Sequence, residues 1–169
     1  MDLISTEIDG CYVIKPTKFF DERGWFNRIY CENELNNIYP GIKWVQINHS
    51  FTLKRGTIRG MHYQERPRQE KQIIVTQGKI IDFIYDLKTK TLEAYHLSEG
   101  ESVFVNKHSA HGFLTLEDNT IVTYLVKGKY NPSREKSIVW KDIPHLKTII
   151  LSNCKESELV ISEKDNEGK

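Results

Sequence analysis

With 169 residues, 38% of them hydrophobic and 11% aromatic, the chain has the length of one domain, 1–169, and enough apolar content to bury a core, which excludes a disordered polymer. Its formal net charge is +1 with 28% charged residues, a balance that excludes bulk electrostatic capture of nucleic acid or of an anionic membrane. No stretch approaches the roughly 20 apolar residues of a membrane span.

In chain order, the N-terminal MDLISTEIDG is acidic and has no apolar leader core. CYVIKP (11–16) reads as a strand. CENELNNIY (31–39) is the one helical stretch, with Leu35 and Ile38 on one face. KWVQINHSF (43–51), KQIIVTQ (71–77), KIIDFIYDL (79–87), ESVFV (101–105), GFLTL (112–116) and TIVTYLV (120–126) are rich in β-branched and aromatic residues and read as strands. Turn signals separate them at PGI, KRG, QGK, SEGE and EDN. IIVTQGKIIDF is the strongest hairpin candidate, with Gly78 at positive φ in a tight turn. The closing SEKDNEGK (162–169) is polar and charged and reads as a frayed tail. Many short strands and one or two short helices give an all-β class, a β-sandwich or a barrel able to hold one ligand inside.

Three cysteines, Cys11, Cys31 and Cys154, stand far apart with no CxxC pair, which suits a reduced, cytoplasmic protein. Six histidines are present, and none forms the His-x-His pair that would set two imidazoles on one face of a strand. His108 and His111 are three apart in NKHSAHGF, at a turn entering a strand. No metal site is therefore expected. His62, in RGMHYQ, is left with proton transfer or packing as its role. Taken alone, Tyr124 would be a core aromatic, and Lys71 and Arg59 surface charges.

DERGWF at 21, QINHS at 46, IRGMHYQ at 58, Lys71, AHGFLTL at 110 and YNPSREKSIVWKD at 130 occur in that order. Together they resemble the dTDP-4-dehydrorhamnose 3,5-epimerase family, from about Phe20 to Asp142 and again at SEKD. The resemblance implies a jelly-roll, cupin-type sandwich, a homodimer, and catalysis without metal or organic cofactor. It also implies a nucleoside-diphosphate 4-keto-6-deoxy sugar as substrate, in deoxysugar and cell-surface polysaccharide synthesis. On the matching positions, His62 is the base, Asp165 its orienting carboxylate, Tyr124 the acid across the sugar, and Lys71 the partner of the keto oxygen. Arg23, Gln46, Asn48, Arg59, His111, Glu135 and Lys164 match ligand-contacting positions. Tyr130 matches an aromatic near the nucleotide.

These residue types suit that chemistry. A C4 ketone acidifies the C–H bonds at C3 and C5, and inversion needs a base, a holder for the enolate and an acid on the opposite face. Imidazole titrates near pH 6.5, close to working pH, and a carboxylate on its second nitrogen fixes the tautomer. A lysine opposes charge growing on the keto oxygen, and a phenol stays protonated at neutral pH. Arg23 and Arg59 are natural diphosphate anchors, and Tyr130 or Trp140 could supply a flat surface for the base.

Arg59 and His62 are three apart, so a regular strand would point them to opposite faces. Either a bulge at Gly60 or a contribution of Arg59 to a partner's site would reconcile them. Four departures from the family pattern stand out: Arg28 where a glutamate is usual, Gln69-Glu70-Lys71 for Gln-Gly-Lys, Ile74 for an arginine, and IPHLKTIILSNC for the stretch with Trp-Pro. Inversion at C3, at C5 or at both remains open, as does the nucleotide. The alternative functions are a cupin-class sugar-nucleotide 3,4-ketoisomerase and a non-catalytic sugar-binding cupin.

Overall fold

The structure, a computed structural model, describes residues 1–168. Its first half runs β1 (Asp2–Ser5), β2 (Tyr12–Lys15), β3 (Lys18–Asp21), β4 (Gly24–Asn27), α1 (Glu32–Leu35), β5 (Gln46–Thr52), β6 (Thr57–Gln64) and β7 (Glu70–Gln77). The second half runs β8 (Lys79–Asp86), β9 (Leu92–Ser98), β10 (Ser102–Val105), β11 (Ser109–Thr115), β12 (Thr120–Lys127), β13 (Glu135–Ser137), α2 (Leu146–Asn153), β14 (Val160–Ile161) and α3 (Glu163–Glu167).

Each run read as a strand forms one. They assemble into two facing sheets, ordered β1-β2-β10-β7-β12-β5 and β13-β6-β11-β8-β9, with β14 added in parallel to β6. The sheets stay open as a sandwich of the jelly-roll kind and do not close into a barrel. Ile73, Val75, Val103 and Val122 of the first sheet meet Ile80, Ile84 and Phe113 of the second in the central layer. The even residues of β8 face this layer. Its odd residues, Ile81, Phe83 and Tyr85, face a second core with Trp140 and with Leu146 and Ile150 of α2. Burial on both faces explains the continuous apolar run of KIIDFIYDL.

The predicted hairpin across Gly78 does not form. β7 pairs with β10 and β12, and β8 with β11 and β9, so the two strands lie in different sheets. Gly78 has positive φ as expected, at 83°, but it turns a corner between sheets. A Cβ there would come within 2.6 Å of the Thr120 hydroxyl. A single linking residue is too short for a two-residue hairpin loop.

The tail is also ordered. Ser162 accepts a hydrogen bond from the Asp165 amide at 3.2 Å and caps α3, which Gly168 closes at φ 72°. Among the described residues the short α-helices are then α1, α2 and α3. Beside the sandwich, β3 and β4 form a two-stranded hairpin paired with no other strand among the described residues.

Candidate active site

Strand register brings the polar residues together. Lys71, Val126 and Gln46 stand side by side across β7, β12 and β5, and Tyr124 is directly opposite Asn48. On the facing sheet His62 of β6 is opposite His111 of β11. Between the pairs His62–His111 and Arg59–Phe113, β6 spends one residue more than β11. This bulge turns Arg59 and His62 into the same cavity. Gly60 and Gly112 make it possible: a Cβ on Gly60, whose φ is 117°, would lie 2.5 Å from the Gly112 Cα. The Gly60 bulge therefore places Arg59 in its own chain's pocket.

The cavity measures about 320 Å³ and is also lined by Gln69, Tyr130 and Glu135, a size suited to a small polar ligand. His62 Nε2 lies 2.6 Å from Asp165 Oδ1. The other carboxylate oxygen accepts the Gly60 amide at 3.1 Å. Burial alone would push the Asp165 carboxyl up, but the His62 hydrogen bond and charge, the Gly60 amide and Lys164 hold it below the usual carboxylate range. An ionised Asp165 thus accepts the Nε2 proton and leaves Nδ1 with a free lone pair.

Desolvation draws the Lys71 ammonium below its ordinary value, opposed by the nearby Glu135 carboxylate. Burial likewise raises Glu135, but Lys164, His62 and Lys71 outweigh it and hold Glu135 ionised. Lys164 reaches it at 2.5 Å, so α3 docks at the site through both Lys164 and Asp165. Burial pushes the Tyr124 phenol up to about 12, against the lowering effects of Ser50 and Arg59. Arg59 is held by Nε to Thr52 Oγ1 at 3.0 Å and by Nη2 to the Phe51 carbonyl at 3.1 Å. Gln46 donates to Asn48 Oδ1 at 2.9 Å. Tyr130 is 45% exposed beside Glu135.

Two of the expected residues lie outside this pocket. Arg23 does not reach this pocket: it sits at the tip of the β3–β4 hairpin, its side chain 83% exposed and paired with Asp21 at 2.6 Å. Trp140 cannot offer a ring to a ligand, because it is 1% exposed in the core under α2. Two of the departures fall outside the pocket. Arg28 pairs with Glu34 at 2.8 Å on the surface, and Ile74 is buried on the opposite face of β7 from Lys71.

Sequence reasoning missed Asp82, which is fully buried and meets His111 Nε2 at 2.6 Å. An aspartate inside an otherwise apolar strand was the signal that could have found it. Phe113, Val126 and Gln69 also line the cavity; Phe113 lies within AHGFLTL and Gln69 two residues before Lys71. Among the described residues no group of three or more His, Cys, Asp or Glu is placed to hold a metal ion.

A carboxylate-backed imidazole, a protonated phenol and an ammonium around one interior cavity are equipment for moving protons on a small polar molecule. On a jelly-roll sandwich they define a cupin-type isomerase. The family model for dTDP-4-dehydrorhamnose 3,5-epimerase matches residues 5–169, and the chain belongs to that family. The dTDP-4-dehydrorhamnose 3,5-epimerase of Methanothermobacter thermautotrophicus is 34% identical over 174 residues, 98% of this chain and 92% of that one. The crystal structure of the Bacillus anthracis enzyme with TDP and PPi bound is 31% identical, with a TM-score of 0.86 over 99% of this chain and 98% of that one. The dTDP-6-deoxy-D-glucose-3,5-epimerase of Legionella pneumophila, solved with dTDP-4-keto-L-rhamnose, is 26% identical with a TM-score of 0.87, covering 99% of this chain and 91% of that one.

Proposed function

We propose that this single domain inverts C3, C5 or both in a nucleoside-diphosphate 4-keto-6-deoxy sugar, through an enolate and without a cofactor. The observation that carries the reading is the ionised Asp165 behind His62, in a pocket shared with Tyr124 and Lys71. His62 Nδ1 takes the proton from carbon, and Asp165 stabilises the imidazolium. Lys71 opposes the charge on the keto oxygen. Tyr124 returns a proton to the other face. Arg59, with donors left beyond Thr52 and Phe51, holds the diphosphate together with Lys164. Gln46, Asn48, His111 and Glu135 contact the ligand, and Tyr130 stacks on the base. The nucleotides in the Bacillus and Legionella structures support a dTDP sugar.

The reading includes a homodimer. Phe19, Phe20, Trp25 and Phe26 are exposed on the unpartnered hairpin, and Val45, Ile47, Phe51 and Leu53 on or beside the edge strand β5. So large an apolar display suits a second copy. An arginine at the hairpin tip, unused by its own pocket, is free to serve the partner's. Three unpaired thiols suit a reducing cytoplasm. No helix among the described residues is long and apolar enough to cross a membrane.

Incubation with dTDP-4-keto-6-deoxyglucose in D2O, read by NMR, tests the function. Deuterium at C3 or C5 with inversion is expected, and no solvent exchange with any nucleotide 4-keto sugar would overturn it. Light scattering of the purified protein tests the dimer, which a monomer at micromolar concentration would rule out.

A further inference from the structure

Strand β5 turns a row of polar side chains toward the pocket. Ile47 and Phe51 are exposed on its outer face, so Gln46, Asn48, Ser50 and Thr52, which alternate with them, point inward. Three of the four are engaged: Gln46 donates to Asn48, and the Thr52 hydroxyl accepts Arg59 Nε. The Ser50 hydroxyl is buried and has no hydrogen-bond partner among the described residues. An idle buried hydroxyl destabilises the resting protein, so a use in another state of the site would account for it. Register says what it faces. Ser50 is directly opposite Val122 on β12, and Tyr124 stands two residues further along, opposite Asn48. Diagonal neighbours on one face of a sheet are within reach of a long aromatic side chain. Burial raises the proton affinity of the Tyr124 phenol and Asp82 adds to the rise, while Ser50 and Arg59 lower it.

We propose that Ser50 is a positioning residue for Tyr124, donating its O–H to the phenolate oxygen that forms when Tyr124 protonates the enolate carbon. In that step the phenol O–H bond breaks and a C–H bond forms with the enolate's electron pair. The ketone is restored, and the negative charge passes from the enolate to the phenolate oxygen. Ser50 keeps its own proton throughout, and the phenolate regains one from water after the product leaves. A hydrogen bond to an ionised acceptor is about twice as strong as one between neutral groups. A bond that forms only with the phenolate therefore favours protonation of the carbon without tightening the bound substrate. The assignment rests on the epimerase reading above, with Tyr124 as its acid, and deepens it.

Removing the hydroxyl tests it. Parent and Ser50→Ala are incubated with dTDP-4-keto-6-deoxyglucose in D2O, and NMR reads two initial rates. One is deuterium entering sugar of unchanged configuration, which reports His62, and the other is the appearance of inverted sugar, which needs Tyr124. In Ser50→Ala inversion should fall about fivefold or more, with exchange within about twofold of the parent. Ser50→Gly removes the same hydroxyl if Ser50→Ala fails to fold. The same substitution is then made in a Tyr124→Phe background. There it should lower the residual inversion less than about twofold, because the phenolate it serves is gone. A smaller fall in the single variant, an equal fall of exchange and inversion, or a loss that persists in the Tyr124→Phe background overturns the Ser50 role alone. Parental inversion by Tyr124→Phe overturns Tyr124 as the acid, and no exchange in the parent overturns the epimerase reading itself.

Discussion

Asp165→Asn removes one charge and no volume, and the structure says what the amide must do. Asp165 uses both oxygens as acceptors, Oδ1 toward His62 Nε2 at 2.6 Å and Oδ2 toward the Gly60 amide at 3.1 Å. The Gly60 N–H can only donate, so the asparagine must turn its carbonyl oxygen that way. Its NH2 then points at His62 Nε2, which has to accept. The ring proton is driven to Nδ1, the nitrogen proposed to abstract the C–H proton, and the lone pair needed for that abstraction disappears. Loss of a positioned general base costs about 10²–10⁴-fold, and a wrong tautomer behind an otherwise intact geometry lies toward the upper end of that range. Solvent-deuterium exchange into the sugar at neutral pH is the assay. Nitrogen NMR of the histidines reads the tautomer directly, and circular dichroism checks the fold. A folded Asp165→Asn that exchanges within about tenfold of the parent, or that keeps Nδ1 unprotonated, would refute the reasoning.

Tyr124→Phe should retain exchange while inversion falls about 10²-fold or more, which NMR of recovered sugar separates. Lys71 titrates below its ordinary 10.5 and Tyr124 near 12. The lysine's charge is present at low pH and lost as pH rises through its lowered value. The alkaline loss of activity should therefore follow Lys71 and move upward in a pH–rate profile of Lys71→Arg. Asp165 has a lowered value, so its stabilisation is present above the ordinary carboxylate value and is lost as pH falls through the folded one. Urea unfolding of Asp165→Asn should accordingly show a flatter acid limb than the parent below about pH 4. Gly60→Ala puts a Cβ 2.5 Å from the Gly112 Cα at a φ of 117°, and should cost about 3 kcal/mol or more in thermal unfolding.

The strands were legible because β-branched and aromatic runs mark extended chain whatever it pairs with. Pairing was not legible. Gly78 announced a turn correctly, but whether that turn joins β7 to β8 or sends them to opposite sheets depends on β10, β11 and β12, which come later in the chain. β6 lacks a clean strand signal for a related reason. Its bulge at Gly60 breaks the period of two, so TIRGMHYQ shows no alternation to read. The same irregularity that hid the strand is what brings Arg59 and His62 to one face.

Asp165 shows composition overruling a better local signal. The charged tail suggested fraying, yet Ser162-x-x-Asp165 followed by Gly168 spells a cap at each end of a helical turn. The pocket residues on β7, β12 and β5 follow a simpler rule. Lys71 has the parity of Ile73 and Val75, and Tyr124 that of Val122, so each occupies a position whose neighbours two residues away are core. A polar side chain in such a position must be paired, or face an enclosed ligand, to repay its desolvation. Asp82 obeys the same rule between Ile80 and Ile84, and its partner is His111. Parity against the core therefore identifies inward polar residues without any family pattern, and it fails only where a bulge or a cap resets the count.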